Sequence, residues 1–203
     1  MRLVDVKTLE LEEFFHGKPP GYAILSHAWE TEEVSYQEIQ ILDAGTKDVK
    51  PKTGYENIRK ACSWAEEDGI RYMWIDTCCI NKISSAELSE AINSMLCCHQ
   101  QSMKCYAYLE VYTHKGLERV FGELRWEHNF VKSRWFTKGW TLQELLAPKT
   151  VEFRDKNDKY IGSRIHPAEY ISQATRIDQD ILVSPNLVRV QSVAKRMSLK
   201  YAR

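Results

Sequence analysis

An α/β domain with a doubly wound, mostly parallel sheet, helices on both faces and a C-terminal helical extension is the fold class this sequence predicts, on three observations. Short apolar runs such as "YAIL" (Tyr22 to Leu25) and "YMWI" (Tyr72 to Ile75) read as strands buried on both faces. Longer segments with apolar residues at helical spacing separate them, as βαβ units require. From Ser163 onward only the helical pattern continues.

Taken in order, "RLVDV" is a strand, and "GYAILSHAW" is a second, introduced by the turn "GKPPG". Tyr55 to Asp68 is a helix with Tyr55, Ile58, Cys62 and Ala65 on one face and Gly69 as its stop. "IRYMWIDTCCI" gives a strand ending near Asp76. In "SSAELSEAINSMLCCHQQS", Ser84 and Glu87 form a capping-box pattern, and Leu88, Ala91, Ile92, Met95 and Leu96 supply an apolar stripe. "KCYAYLEVY" is a strand, Leu117 to Leu124 a helical stretch, and "TVEFRD" another strand. Between these last two, Lys138 to Ala147 reads as a helix capped by Thr137. A start after Thr141 would leave about six residues, short by comparison with ordinary helices. A final amphipathic segment spans Leu187 to Leu199, with no cap or tail after it, so a longer parent chain is expected. Neither repeats nor low-complexity linkers occur.

The 203 residues suffice for one sizeable domain. With 28 basic and 28 acidic residues, the chain has no basic footprint for nucleic acid. No apolar run approaches a membrane span, and "MRLVDVKTLELEEFF" lacks a signal-peptide core, so a soluble cytoplasmic protein is expected. Six cysteines, at 62, 78, 79, 97, 98 and 105, read as free thiols. A metal site from Cys78, Cys79, Cys97, Cys98 and His99 lacks the ligand spacing zinc needs, and none is expected.

Open parallel sheets bind ligands beyond the carboxyl ends of their strands. "SHAWE" (Ser26 to Glu30) and "DTCCINK" (Asp76 to Lys82) sit at two such ends. In "SRWFTKGWTLQELLAP", a helical wheel puts Leu142, Leu145 and Leu146 on one face and points Trp140 and Glu144 together to the other. Convergence of Ser26, His27, Trp29, Asp76, Trp140 and Glu144 is the site hypothesis. Each has an inert alternative: a hydrogen-bonded structural histidine, partly buried tryptophans, a turn-capping aspartate. Cys78 or Cys79 with His27 would make a Cys-His nucleophile, though free cysteines are more often buried hydrophobes. GxGxxG and P-loop patterns do not occur.

"YAILSHAWE", "YMWIDTCCINKISSAELSEAINSM" and "SRWFTKGWTLQELLAPKTVEF", in this order and spacing, resemble the fungal heterokaryon-incompatibility (HET) domain. The resemblance covers residues 1–175, leaving 176–203 as a helical extension in which "AKRMS" shows looser similarity. Two departures stand out: the family commonly has an aspartate where this chain has Asn81, and aromatic residues around Cys97 to Ser102. The first bears on activity if that aspartate serves the site, and the second bears on helix packing. HET domains are in turn similar to TIR domains, whose sheet is flavodoxin-like and whose Trp and following Glu look like Trp140 and Glu144. That resemblance implies NAD as substrate, with no other cofactor, and Glu144 as the catalytic residue for cleaving its nicotinamide–ribose bond. Ser26, His27, Trp29, Asp76 and Trp140 would then bind substrate. It further implies a cell-death effector in vegetative incompatibility, switched on by self-association and answering to an upstream sensor or allelic partner. The competing implication is a non-enzymatic adaptor acting through homotypic contacts.

Overall fold

The structure is a computed structural model that describes residues 1–15, 18–43, 52–111, 119–120 and 123–185. Its strands and helices alternate as β1 (Arg2–Asp5), β2 (Leu11–Glu13), β3 (Tyr22–His27), α1 (Tyr36–Asp43), α2 (Thr53–Glu67), β4 (Tyr72–Ile75), α3 (Ser85–Gln101) and β5 (Lys104–Tyr108). The short strands β6 (Arg119–Val120) and β7 (Glu123–Leu124) and α4 (Arg125–Val131) follow. A 3-10 turn (Arg134–Thr137) then leads to α5 (Thr141–Leu146), β8 (Val151–Arg154), β9 (Tyr160–Ser163), α6 (Ala168–Thr175) and α7 (Gln179–Val183).

Seven of the described strands form one mixed sheet in the order β2-β1-β4-β3-β5-β8-β9. The inner four, β4-β3-β5-β8, are parallel, and the flanking strands β1, β2 and β9 pair antiparallel. The chain runs from β3 through α2 to β4 on one side, and from β4 through α3 to β5 on the other. Right-handed crossovers in opposite directions put their helices on opposite faces. The contacts agree: Tyr22 donates its hydroxyl hydrogen to Cys98 O on α3, while Tyr106 donates to Trp64 O on α2. Because Leu25 pairs with Tyr106, residues 23, 25 and 27 of β3 share the α2 face. Tyr22, Ile24 and Ser26 take the α3 face.

The apolar runs expected to be buried on both faces are so. Every residue of β3 and β4 is buried, and the core extends through α2 by Ile58, Ala61, Cys62 and Ala65. Gly69 ends α2 at φ +71, where the left-handed conformation closes the turn. A Cβ there would meet nothing within 4 Å. Gly69→Ala therefore carries backbone strain alone, about 1 kcal/mol, and lowers the thermal midpoint by roughly 2–4 °C in a melt.

Several expectations are corrected. Within Leu117 to Leu124, the described residues pair as a small antiparallel ladder, Arg119 with Leu124 and Val120 with Glu123. The β-branched Val120 within the ladder favours strand there over helix. Of the helix expected over Lys138 to Ala147 only the six-residue α5 forms, and Thr137, its expected cap, ends the 3-10 turn instead. Packing of Leu145 and buried hydrogen bonds stabilise α5 although it is too short to persist alone. On α3, Ser84 accepts from Glu87 N at 3.4 Å as a capping residue should, but Glu87 bonds Asn81 N and Arg2 rather than closing the box. Of its apolar stripe only Met95 is buried, with Ile92 and Leu96 43% and 47% exposed. Strands β2 and β9 and helix α1 had no strong periodic signal, being three, four and eight residues long. The amphipathic segment Leu187 to Leu199 lies outside the described residues.

Candidate functional site

The order of the inner strands reverses between β3 and β5, and the crevice at such a switch point is where doubly wound sheets take ligands. Ser26 lies at the end of β3 on the α3 face, buried, and its Oγ accepts from Trp135 Nε1 at 2.8 Å. Trp135 is itself fully buried and packs edge-on against Phe153 of β8 and Phe136, which anchors the 3-10 turn on the sheet. Glu110 just past β5 ties down the same turn, accepting from Arg134 N at 2.8 Å. The chain then turns at Lys138, and the Nζ of Lys138 reaches 2.8 Å from each carboxylate oxygen of Glu144 and 3.4 Å from Ser26 Oγ.

Glu144 is thus buried, 7% exposed, rather than facing away from the core with Trp140. The wheel misplaced it by centring the buried face on the leucines: Leu142 and Leu146 are only partly buried, and Thr141, Glu144 and Leu145 make the inward face at about 100° per residue. Trp140 occupies the N-cap, outside the helix, and is 41% exposed. Arg164 holds the other end of α5, donating to Leu145 O at 2.7 Å and Pro148 O at 3.0 Å.

His27 is brought to a different place. As the neighbour of Ser26 on one strand it points to the opposite face, where its Nε2 lies 3.1 Å from Glu33 Oε2. Burial works to raise the Glu33 carboxyl, and the hydrogen bond and charge of His27 outweigh it, leaving Glu33 below its usual range. Asp76 closes β4 and accepts from Trp29 Nε1 at 2.9 Å, and the Lys82 ammonium sits 3.6 Å over the Trp29 ring. Burial pushes Lys82 below its usual range. Trp29 remains 54% exposed, an indole held by its edge at the rim. Cys78 and Cys79 are buried, and Cys78 is held well above its usual range by its Cys79 hydrogen bond and by burial. That disfavours the thiolate a Cys-His nucleophile needs.

Lys138, Trp135 and Lys82 join the site, and Glu33 joins His27 behind it, without having been given a role in the sequence, whereas His99 was weighed there only as a metal ligand. His99 on α3 is 1% exposed; its Nδ1 donates to Met95 O at 2.9 Å, so the neutral ring presents a bare Nε2, which has no partner. Burial lowers its pKa, with Glu144 and Lys138 acting on it in opposite senses. Lys138 had one available signal, its place in the same short motif as Glu144. Asn81 serves the loop before α3, accepting from Gln37 Nε2 at 2.8 Å. A groove of about 760 Å³ lies elsewhere, between the N-terminal strands and α3, lined by Arg2, Phe14, Trp74 and Cys98 among others. Among the described residues, no group of three or more His, Cys, Asp or Glu is arranged to hold a metal ion, and no helix is long and apolar enough to cross a membrane.

On the α2 face the segment behind Glu33 is braced by Glu38, which bonds Lys52 and accepts from Ser35 N at 2.9 Å. These bonds, the Lys52 one first, bring the Glu38 carboxyl from 4.5 down to about 2. Since the folded value is the lower one, this contribution to stability is present above pH 4.5 and is lost as pH falls toward about 2. Glu38→Gln flattens that part of the acid-side decline in urea midpoints measured against pH.

The Heterokaryon incompatibility protein (HET) family profile matches residues 22–128, which takes in Ser26, His27, Trp29 and Asp76 and ends before Lys138 and Glu144. The chain is also similar to Vegetative incompatibility protein HET-E-1 of Podospora anserina, 44% identical over 169 residues. That alignment covers 82% of this chain, which spans 12% of the length of the relative. No solved structure matches. A profile match from β3 into α4, over more than half of the 203 residues, shows that the chain belongs to the heterokaryon incompatibility (HET) family.

Proposed function

We propose that this chain is a TIR-like, flavodoxin-like effector domain of fungal vegetative incompatibility that hydrolyses the nicotinamide–ribose bond of NAD, with Glu144 as the catalytic residue. The observation that carries the reading is the Glu144 carboxylate, buried at the β3–β5 end of the parallel strands and held by Lys138 beside Ser26. The similarity to a vegetative incompatibility protein supports the incompatibility setting. The response is proposed to be cytoplasmic and to end in cell death.

Glycoside hydrolysis ordinarily takes two carboxylates, one to protonate a neutral leaving oxygen. Nicotinamide in NAD is already a cation. The bond between its nitrogen and C1′ breaks with the electron pair going to nitrogen, so nicotinamide leaves neutral without a general acid. Water adds to C1′ and releases a proton to solvent, giving ADP-ribose. Glu144 stabilises the positive charge that develops on the ribose. Ser26 and Asp76 provide polar contacts to the nucleotide, and the exposed rings of Trp29 and Trp140 stack on or cover it. His27, through Glu33, holds the loop carrying Trp29 from behind.

Incubating the chain at high concentration with NAD and following free nicotinamide tests the reading. Self-association is proposed to complete the site, so activity per molecule rises steeply with protein concentration. A specific activity that stays flat over a wide range contradicts that part. The exposure of Trp29, Trp140 and Ile83 (80% exposed) favours a second reading, an adaptor whose indoles and Ile83 loop are interface anchors for its own kind or for an upstream partner. Under it, cell death survives Glu144→Ala.

A further inference from the structure

We propose that Lys138 and Glu144 form an exchangeable ion pair that reads the charge pattern of the substrate. A nucleotide bearing both a cationic N-glycosidic group and an anionic diphosphate takes over both partners at once. A ligand with one of these charges leaves the other partner unmatched. The identity of the cation rests on the glycohydrolase reading above; the exchange itself rests on the geometry.

The ammonium of Lys138 has three N–H donors, and all three are engaged, at 2.8 Å to each oxygen of Glu144 and 3.4 Å to Ser26 Oγ. The two side chains are 17% and 10% exposed. In such a site, removing one charge strands the other with little water to compensate it, whereas a full exchange of partners strands neither. Glu144 cannot stabilise a ribosyl cation while both its oxygens face the ammonium, so the pair must separate for the reaction. Lys138 can do this: its flexible stem carries a point charge that tolerates more than one geometry, and its backbone lies in a turn outside α5. ADP-ribose alone must pull the ammonium away and then meets the bare Glu144 charge. Nicotinamide riboside compensates Glu144 but leaves Lys138 unmatched. NAD matches both. ATP lacks the cation, which disfavours it at this site.

Calorimetric binding of ADP-ribose to the chain and to Glu144→Gln and Lys138→Met, with nicotinamide release from NAD and nicotinamide riboside alongside, tests the exchange. Circular dichroism checks that each variant folds, and Lys138→Arg, which keeps the charge, retains the wild-type preference. Glu144→Gln is expected to bind ADP-ribose at least about 10-fold more tightly than the wild-type chain, because no pair has to be broken. Lys138→Met is expected to bind it more weakly and to shift turnover toward nicotinamide riboside by about 10-fold relative to NAD. Unchanged or weaker ADP-ribose binding in Glu144→Gln overturns the exchange, as does a failure of every form to bind ADP-ribose. Tighter binding with no nicotinamide from any protein keeps the exchange and removes the glycohydrolase reading. Nicotinamide release with an unchanged preference in Lys138→Met does the reverse.

Discussion

Glu144→Gln is expected to lower nicotinamide release by about 10²- to 10³-fold or more, the range seen when a preorganised electrostatic group at a reacting centre is removed. The substitution keeps the shape of the side chain and deletes its charge. The fold should survive it with some loss of stability, because Lys138 is left without its partner at 17% exposure but carries its ammonium on a flexible stem. The expected signature is therefore a collapse in kcat far larger than the fall in folding stability accounts for. A variant that keeps more than about a tenth of wild-type turnover would remove Glu144 from the centre of the mechanism.

The second large effect is on stability. Arg164 is buried, 7% exposed, and burial pushes its pKa down. Its guanidinium donates to four backbone carbonyls: Leu145, Pro148 and Leu182 at 2.7, 3.0 and 2.9 Å, and Lys149 at 3.4 Å. It thereby joins the end of α5, the approach to β8 and helix α7. Replacement by leucine orphans these carbonyls, each worth about 1–3 kcal/mol when left buried without a donor. With some relaxation, Arg164→Leu should cost about 3–5 kcal/mol and lower the thermal midpoint by roughly 10 °C. Arg164→Lys should recover little of this, since a single ammonium cannot fork to carbonyls in four directions. A shift under about 2 °C in differential scanning calorimetry would refute the assignment. Activity should fall with stability, because Glu144 sits one residue from the carbonyl that Arg164 grips.

Much of this architecture was legible. The buried strands β3, β4, β5 and β8, the helices α2 and α3 and the stop at Gly69 follow from burial patterns and turn chemistry that a few consecutive residues encode. The antiparallel edges β2 and β9 were not, since three or four residues carry too little periodicity to separate from loop. In the site, Ser26, Asp76 and Glu144 could be named as candidates from strand ends and a motif. That Ser26 and His27 face apart was also readable, because adjacent residues of a strand always do.

By itself, then, the sequence determined the α/β class, the inner strands and the residue types gathered at the candidate site. Tertiary structure alone decided what those residues meet. Trp135 finds Ser26 across 109 positions and Lys138 finds it across 112, contacts that exist because β3 lies between β4 and β5. It also decided that Glu144 is buried, since which side of a six-residue helix turns inward depends on how it packs against its neighbours. Strand order and the facing of a short helix are settled by the free energy of the whole packed core, which no local period records.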